Sequence, residues 1–150
     1  MDLQWNGQER IAASKDKVWA FINDPAKIAS CLPDVQQTNV IDAHSFDATV
    51  GVALGPVHGK FKFKIVLQPA AGDSHMDMKI NGGGLGSVVD LVAAADLTPE
   101  SDALTILDWK GTASLRGPIA TVGGRVVDAQ ARKVISTTFE NVRNRLSGAA

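Results

Sequence analysis

The chain has 150 residues and a mass of 15.8 kDa, so we expect a single domain over residues 1–150. Its apolar fraction of 45% is too high for a disordered protein. Fifteen basic and sixteen acidic residues leave a formal charge of −1, which argues against a nucleic-acid partner. A single cysteine, no signal-peptide pattern in the first residues and no long apolar run lead us to expect a cytoplasmic protein.

The first third of the chain predicts short elements. Residues 3–11 predict a short strand, in which apolar positions are mixed with polar ones. A helix is expected next, with Ser14 as its N-cap and Trp19 on its apolar face. Asp24 and Pro25 predict the cap and the first turn of a second short helix.

An alternation of apolar and polar residues fills the middle of the chain. It predicts strands over residues 46–54, 60–67, 76–80, 87–97 and 103–114. Strands flank the glycine-rich residues 82–86 on both sides, so these residues are expected to form a hairpin connection. A dinucleotide-binding loop would lead into a helix instead.

The last part of the chain predicts one long amphipathic helix, with apolar residues every three or four positions from residue 125 to 146 and a net charge of about +3. This order of elements predicts an α+β fold with a curved antiparallel sheet of about seven strands and the long helix across it. Small inward side chains leave two alternatives: an apolar cavity between sheet and helix, or a helix packed tightly onto the sheet.

Three segments carry a resemblance to a known family. They are GQERIAASKDKVWAFINDPAKIASCLPDV (7–35), GPVHGKFKFKIVL (55–67) and GTASLRGPIATVGGRVVDAQARKVISTTFENV (111–142). They resemble the G-subunit family of carbon monoxide dehydrogenase, and the likeness covers nearly the whole chain. One departure is Asp34, where the family usually has glycine.

The resemblance implies a START-like helix-grip fold, with two short helices after the first strand, whose members enclose apolar ligands between the sheet and the long helix. It also implies an accessory protein that assists the maturation or the membrane attachment of a molybdenum hydroxylase. The expected ligand is lipid-like or quinone-like, and no cofactor is expected.

Strand alternation and family position together suggest the residues of a ligand pocket: Phe61, Phe63, Met78, Leu91, Trp109, Val126 and Phe139. Ile119 and Val122 lie between glycines just before the long helix. They are interpreted either as part of an ordinary loop or as a gate or membrane contact.

Other chemistry-bearing residues suggest no reaction. His44, His58 and His75 have no metal-binding spacing, and Cys31 is expected to be a buried thiol. Three aspartates, Asp90, Asp96 and Asp108, are expected on the solvated outer face of the sheet. We therefore expect neither a metal site nor catalytic residues.

Two other classes of function stay open at this point. One is a cyclase- or hydrolase-like enzyme on the same fold, which would use an inward-facing Asp or His. The other is an interaction module whose basic terminal helix docks on a partner protein or an anionic membrane.

Overall fold

The computed structural model describes residues 1–147. The strands are β1 (Asp2–Ile11), β2 (Val35–Asp42), β3 (Ser45–Leu54), β4 (Val57–Pro69), β5 (His75–Gly84), β6 (Ser87–Ser101) and β7 (Leu104–Arg116). The helices are α1 (Lys15–Ile22), α2 (Pro25–Cys31), α3 (Pro118–Thr121) and α4 (Gly124–Leu146).

All seven strands form one antiparallel sheet in the order β1-β7-β6-β5-β4-β3-β2. The first strand returns to pair with the last, so that Gly7 lies opposite Trp109. Helix α4 lies across the inner face, and this arrangement confirms the predicted α+β fold. Within residues 1–147 no helix has both the length and the apolarity that crossing a bilayer requires.

The two short helices begin where their caps predict. The Ser14 hydroxyl accepts a hydrogen bond from the backbone N–H of Lys17 at 3.3 Å. The Asp24 carboxylate accepts from the N–H groups of Ala26 and Lys27, and Pro25 occupies the first turn. Each cap satisfies donors that the helix itself cannot pair, which is typically worth about 1 kcal/mol.

Two elements differ from the sequence-based expectation. Strand β2 was not predicted, because it lies at the sheet edge and all its residues but Val35 are exposed, so no apolar alternation marks it. The segment expected to be a loop before the long helix contains the short helix α3, which begins at Pro118.

The glycine-rich segment is also more regular than expected. Strand β5 continues through Gly84, and Leu85 and Gly86, both with positive φ, form the tight turn that leads into β6. The hairpin is therefore confirmed, but most of its glycines belong to the strand and not to the connection.

The core consists of two clusters. The first lies under α1 and α2 and contains fully buried residues such as Ile11, Val18 and Phe46. The second lies at the other end of the sheet and includes Phe61 and Val127. Helix α4 runs over both clusters, because Val127 packs in the second and Val142 in the first.

The thiol of Cys31 is expected to be unreactive in the folded protein. Its side chain is fully buried at the end of α2, as predicted, and burial raises its pKa. Since the thiolate is the reactive form, we expect a disulfide reagent to modify the native protein far more slowly than the urea-unfolded protein. Similar rates in the two states would contradict this prediction.

Candidate functional site

The inner face of the sheet is incompletely covered by the long helix. Among the seven strands, β1 is the one whose backbone lies beside the backbone of α4 at the most positions. Over the middle strands, a band of apolar side chains is only half-buried, and we call this band the inner cleft. It consists of Val50, Val52, Phe63, Met78, Ile80, Val89, Leu91, Ala95 and Trp109 from the sheet and Ala131, Ile135 and Phe139 from α4.

Five of the residues suggested for a ligand pocket lie together in this cleft: Phe63, Met78, Leu91, Trp109 and Phe139. Phe63 and Trp109 pack against both core clusters, so they lie where the two clusters meet. The rings of Trp109 and Phe139 stand 5.7 Å apart between centroids at 30°. This contact joins the sheet to the helix across the cleft.

The other two suggested residues lie elsewhere. Phe61 is fully buried in the second core cluster, next to Phe63 at 6.1 Å between ring centroids. Val126 is 44% exposed and packs against neither cluster. The helix turns Val127 towards the sheet instead, where it is buried in the second core cluster, so neither valine lines the cleft.

Two aromatic rings of the cleft lie over glycines of the neighbouring strand. A Cβ placed at Gly82 would stand 2.8 Å from the Cδ1 atom of Phe63, and one at Gly7 would stand 2.7 Å from the Trp109 ring. Because these glycines have no side chains, the rings lie close to the sheet surface. Each ring therefore covers the backbone of the neighbouring strand.

One carboxylate faces the inner side of the sheet. Glu9 follows Leu3, Trp5 and Gly7 at alternate positions of β1, so it points inward. It accepts a hydrogen bond from the indole N–H of Trp109 at 3.2 Å and from Arg143 of α4 at 2.6 Å. Glu9 was not among the residues suggested from the sequence, although its position in the alternation of β1 marks it as inward-facing.

The segment suggested as a gate is anchored. Ile119 is buried, and its backbone N–H donates to the Ser87 hydroxyl at 2.9 Å. Val122 is half-buried against the second cluster. A Cβ at Gly117 would stand 2.4 Å from the Gly86 carbonyl oxygen, so the segment packs closely on the β5–β6 turn. Ile119 therefore lacks the exposure that a membrane contact requires.

The three aspartates considered for acid–base chemistry lie on the outer face, as expected. Asp90 accepts hydrogen bonds from Asn81 and Arg116, and Asp108 accepts one from Gln8. Asp96 contacts His75. Within residues 1–147 no three His, Cys, Asp or Glu side chains come together as a metal site.

The contact of His75 with two carboxylates predicts a pH-dependent stability. Its ring nitrogens lie 2.6 Å from Asp96 and 3.0 Å from Asp77. The hydrogen bond to Asp96 and, to a smaller extent, the one to Asp77 raise the pKa of His75 above its ordinary 6.5. A raised pKa in the folded state means that this stabilisation is fully present below pH 6.5. It is lost as the pH rises through the folded-state pKa.

Thermal unfolding of the wild type and of His75→Gln should therefore differ most below pH 6.5, with the wild type more stable. The difference should shrink as the pH rises above that value. A difference in melting temperature that grows with pH would contradict the assignment.

Two open depressions lie on the outer face of the sheet, with volumes of about 470 and 490 Å³. Their linings combine apolar surface with polar side chains, among them Asp2, Gln4 and Thr112 in one and Asn6, Gln8 and Lys110 in the other. Leu91 and Trp109, which belong to the inner cleft, also contribute to these linings. Both linings also include charged side chains, such as Lys79 and Asp90 in one and Asp96 and Asp108 in the other.

Comparison with solved structures shows which fold this is. The chain is similar to a conserved protein from Geobacillus kaustophilus, with 24% identity and a TM-score of 0.86 over 97% of this chain and 95% of that one. It is also similar to a START superfamily protein from Mycobacterium smegmatis, with 12% identity and a TM-score of 0.75 over 98% and 99%.

A third similar structure is norcoclaurine synthase from Thalictrum flavum in complex with dopamine and hydroxybenzaldehyde, with 12% identity and a TM-score of 0.62 over 95% and 86%. The fold is therefore the START-like helix-grip fold, as the resemblance implied. Comparison with curated proteins gives no match.

Comparison with protein families gives a match over most of the sequence. Residues 7–147 match CoxG, the G-subunit family of carbon monoxide dehydrogenase, and they include all three segments on which the resemblance rested. Family and fold together support a ligand-binding accessory protein. The chain belongs to the CoxG family.

Proposed function

We propose that this protein is a non-catalytic accessory protein that binds an apolar, lipid-like or quinone-like small molecule in the inner cleft. The observation that carries the proposal is the band of half-buried apolar side chains between α4 and the middle strands. Covering such a surface with an apolar ligand stabilises the complex by about 25 cal/mol for each Å² removed from water.

The cleft is suited to a ligand of variable shape. Met78 has an unbranched, polarisable side chain that adapts to different contacts. Phe63 and Trp109 provide flat apolar surfaces close to the sheet, and Phe139 faces them from the helix. A ligand lying over the Phe63 ring, beside the contact between Trp109 and Phe139, would exchange water contacts for aromatic ones.

The arrangement of titratable groups argues for binding and against catalysis. Asp90, Asp96 and Asp108, which an enzyme on this fold would need on the inner face, lie on the outer one. The inward-facing Glu9 already accepts hydrogen bonds at both carboxylate oxygens. Since the fold of norcoclaurine synthase is shared, the fold cannot decide between the two classes, and the residues of the cleft favour binding.

Binding can be tested with N-phenylnaphthylamine, an uncharged probe whose emission rises in apolar surroundings. We expect a saturable rise with the wild type and a clearly weaker one with Phe139→Ser. Val126→Ser is the matched control, because Val126 lies on the same helix outside the cleft, and it should bind like the wild type. No saturable emission with the wild type would overturn the proposal.

Native mass spectrometry of gently purified protein tests the same site without a probe. We expect a co-purifying apolar molecule that is present in the wild type and reduced in Phe139→Ser. Equal amounts in both variants would place the molecule outside the inner cleft.

The family suggests a partner protein for this chain. We propose that the protein assists the maturation or the membrane attachment of a molybdenum hydroxylase, as its membership of the CoxG family implies. When the hydroxylase is expressed together with this protein, it should contain more bound molybdenum than when it is expressed alone, or a larger share of the hydroxylase should be in the membrane fraction. A hydroxylase unchanged in both respects would refute the accessory role.

A further inference from the structure

Helix α4 is tied to β1 by two sets of side chains with the same chemistry. In each set, one carboxylate accepts hydrogen bonds from a tryptophan indole and from an arginine. The first set is Trp5, Asp128 and Arg132, with distances of 2.7 and 2.9 Å. The second is Trp109, Glu9 and Arg143, with distances of 3.2 and 2.6 Å.

The two sets differ in what their indole faces. Trp5 is 6% exposed and belongs to the second core cluster, so its set only fastens the helix. Trp109 is half-buried in the inner cleft, with its ring against Phe139. Only the second set therefore borders the apolar surface on which a ligand would lie.

The hydrogen bonds of the second set show which of its donors and acceptors are already paired. Both oxygens of Glu9 are occupied, one by Arg143 and the other by Trp109. The guanidinium of Arg143 has five N–H donors. Within residues 1–147, the one acceptor to which this side chain donates is the Glu9 carboxylate, and it does so through Nη1. No acceptor among the described residues pairs with Nε or Nη2 of Arg143.

The charges of Glu9 and Arg143 also limit which end group of a ligand can bind beside them. Glu9 and Arg143 form an ion pair at 2.6 Å, and their side chains are 21% and 39% exposed. The pair carries no net charge, so an incoming carboxylate would meet Glu9 as a like charge beside the same guanidinium. An uncharged oxygen acceptor meets no such repulsion.

We propose, on the basis of the proposed function, that Arg143 is a specificity-determining residue that selects apolar ligands with an uncharged carbonyl oxygen at one end. Arg143 donates to this oxygen at the rim of the cleft, beside Trp109. The apolar part of the ligand lies along Phe139 and the sheet. A ligand without an acceptor leaves the Arg143 donors without a partner when it displaces their water.

The test compares a long-chain methyl ketone with the alkane and the fatty acid of the same chain length, each as a competitor of N-phenylnaphthylamine. We expect the ketone to bind the wild type about tenfold more tightly than the alkane, as one hydrogen bond from a charged donor provides. It should also bind more tightly than the fatty acid. In Arg143→Met the preference for the ketone over the alkane should disappear.

Arg132→Met is the matched control, because it removes the arginine from the set that does not border the cleft. It should keep the full preference for the ketone. Thermal unfolding of each variant reports whether it is folded. If Arg143→Met does not fold, Arg143→Lys replaces it. Lysine keeps the positive charge beside Glu9 but lacks the planar guanidinium with its several N–H donors. We then expect a reduced preference for the ketone over the alkane.

The outcomes separate this inference from the proposed function. If the probe and all competitors fail to bind the wild type, the proposed function fails, and the inference fails with it. If they bind but the ketone has no advantage over the alkane, or Arg143→Met or Arg143→Lys keeps that advantage, only the inference is overturned. Tighter binding of the fatty acid than of the ketone overturns the requirement for an uncharged oxygen.

Discussion

Replacing Phe61 with alanine is expected to lower the free energy of unfolding by about 3–5 kcal/mol. The ring is fully buried in the second core cluster, so its removal loses the transfer free energy of the side chain and leaves a cavity. Urea denaturation followed by tryptophan fluorescence measures the change. A loss below about 1 kcal/mol would show that the cluster collapses around the vacant space.

Phe63→Ala is the matched comparison, two positions along the same strand. Phe63 is only half-buried and lies in the inner cleft, so its loss should cost clearly less stability than that of Phe61. Its loss should also weaken binding of the uncharged probe more strongly. The reverse pattern would place the ligand surface in the second core cluster and not in the cleft.

Replacing Gly82 with alanine is expected to destabilise the protein by about 3 kcal/mol, although alanine adds a single methyl group. That methyl carbon would stand 2.1 Å from the Lys62 carbonyl oxygen and 2.8 Å from the Cα of Phe63. Both are backbone atoms of the paired strand, so they cannot move without opening the β4–β5 pairing. Denaturation by urea measures the loss, and probe binding reports the displacement of the Phe63 ring.

Gly124→Ala provides the control for this prediction. A Cβ at Gly124 meets nothing within 4 Å, and the residue begins α4. Alanine is favoured over glycine in helices by about 1 kcal/mol, so this variant should be as stable as the wild type or slightly more stable. Equal losses in the two variants would show that crowding at Gly82 is not the cause.

The aromatic rings and their glycines have a consequence for the cleft. If Gly82 or Gly7 carried a side chain, Phe63 or Trp109 would have to stand away from the sheet. The rings would then occupy space that the proposed ligand uses. Gly7 and Gly82 therefore allow the Trp109 and Phe63 rings to lie close to the sheet.

The local sequence by itself determined most of the elements and their order. Ser14 and Asp24 mark helix starts because their side chains satisfy backbone donors close by in the chain. The alternation in β4 and the spacing of apolar residues in α4 depend only on strand and helix geometry. Together with the family segments, these features predicted the helix-grip fold.

Only the tertiary structure decided which residues form the candidate site. Phe61 and Phe63 share one face of β4, but packing from α3 and α4 buries one ring fully and leaves the other in the cleft. Glu9 is part of the site because α4 brings Arg143 to it from 134 residues away in sequence. Such contacts depend on where a helix docks on a sheet. The periodicity of either element alone does not contain that information.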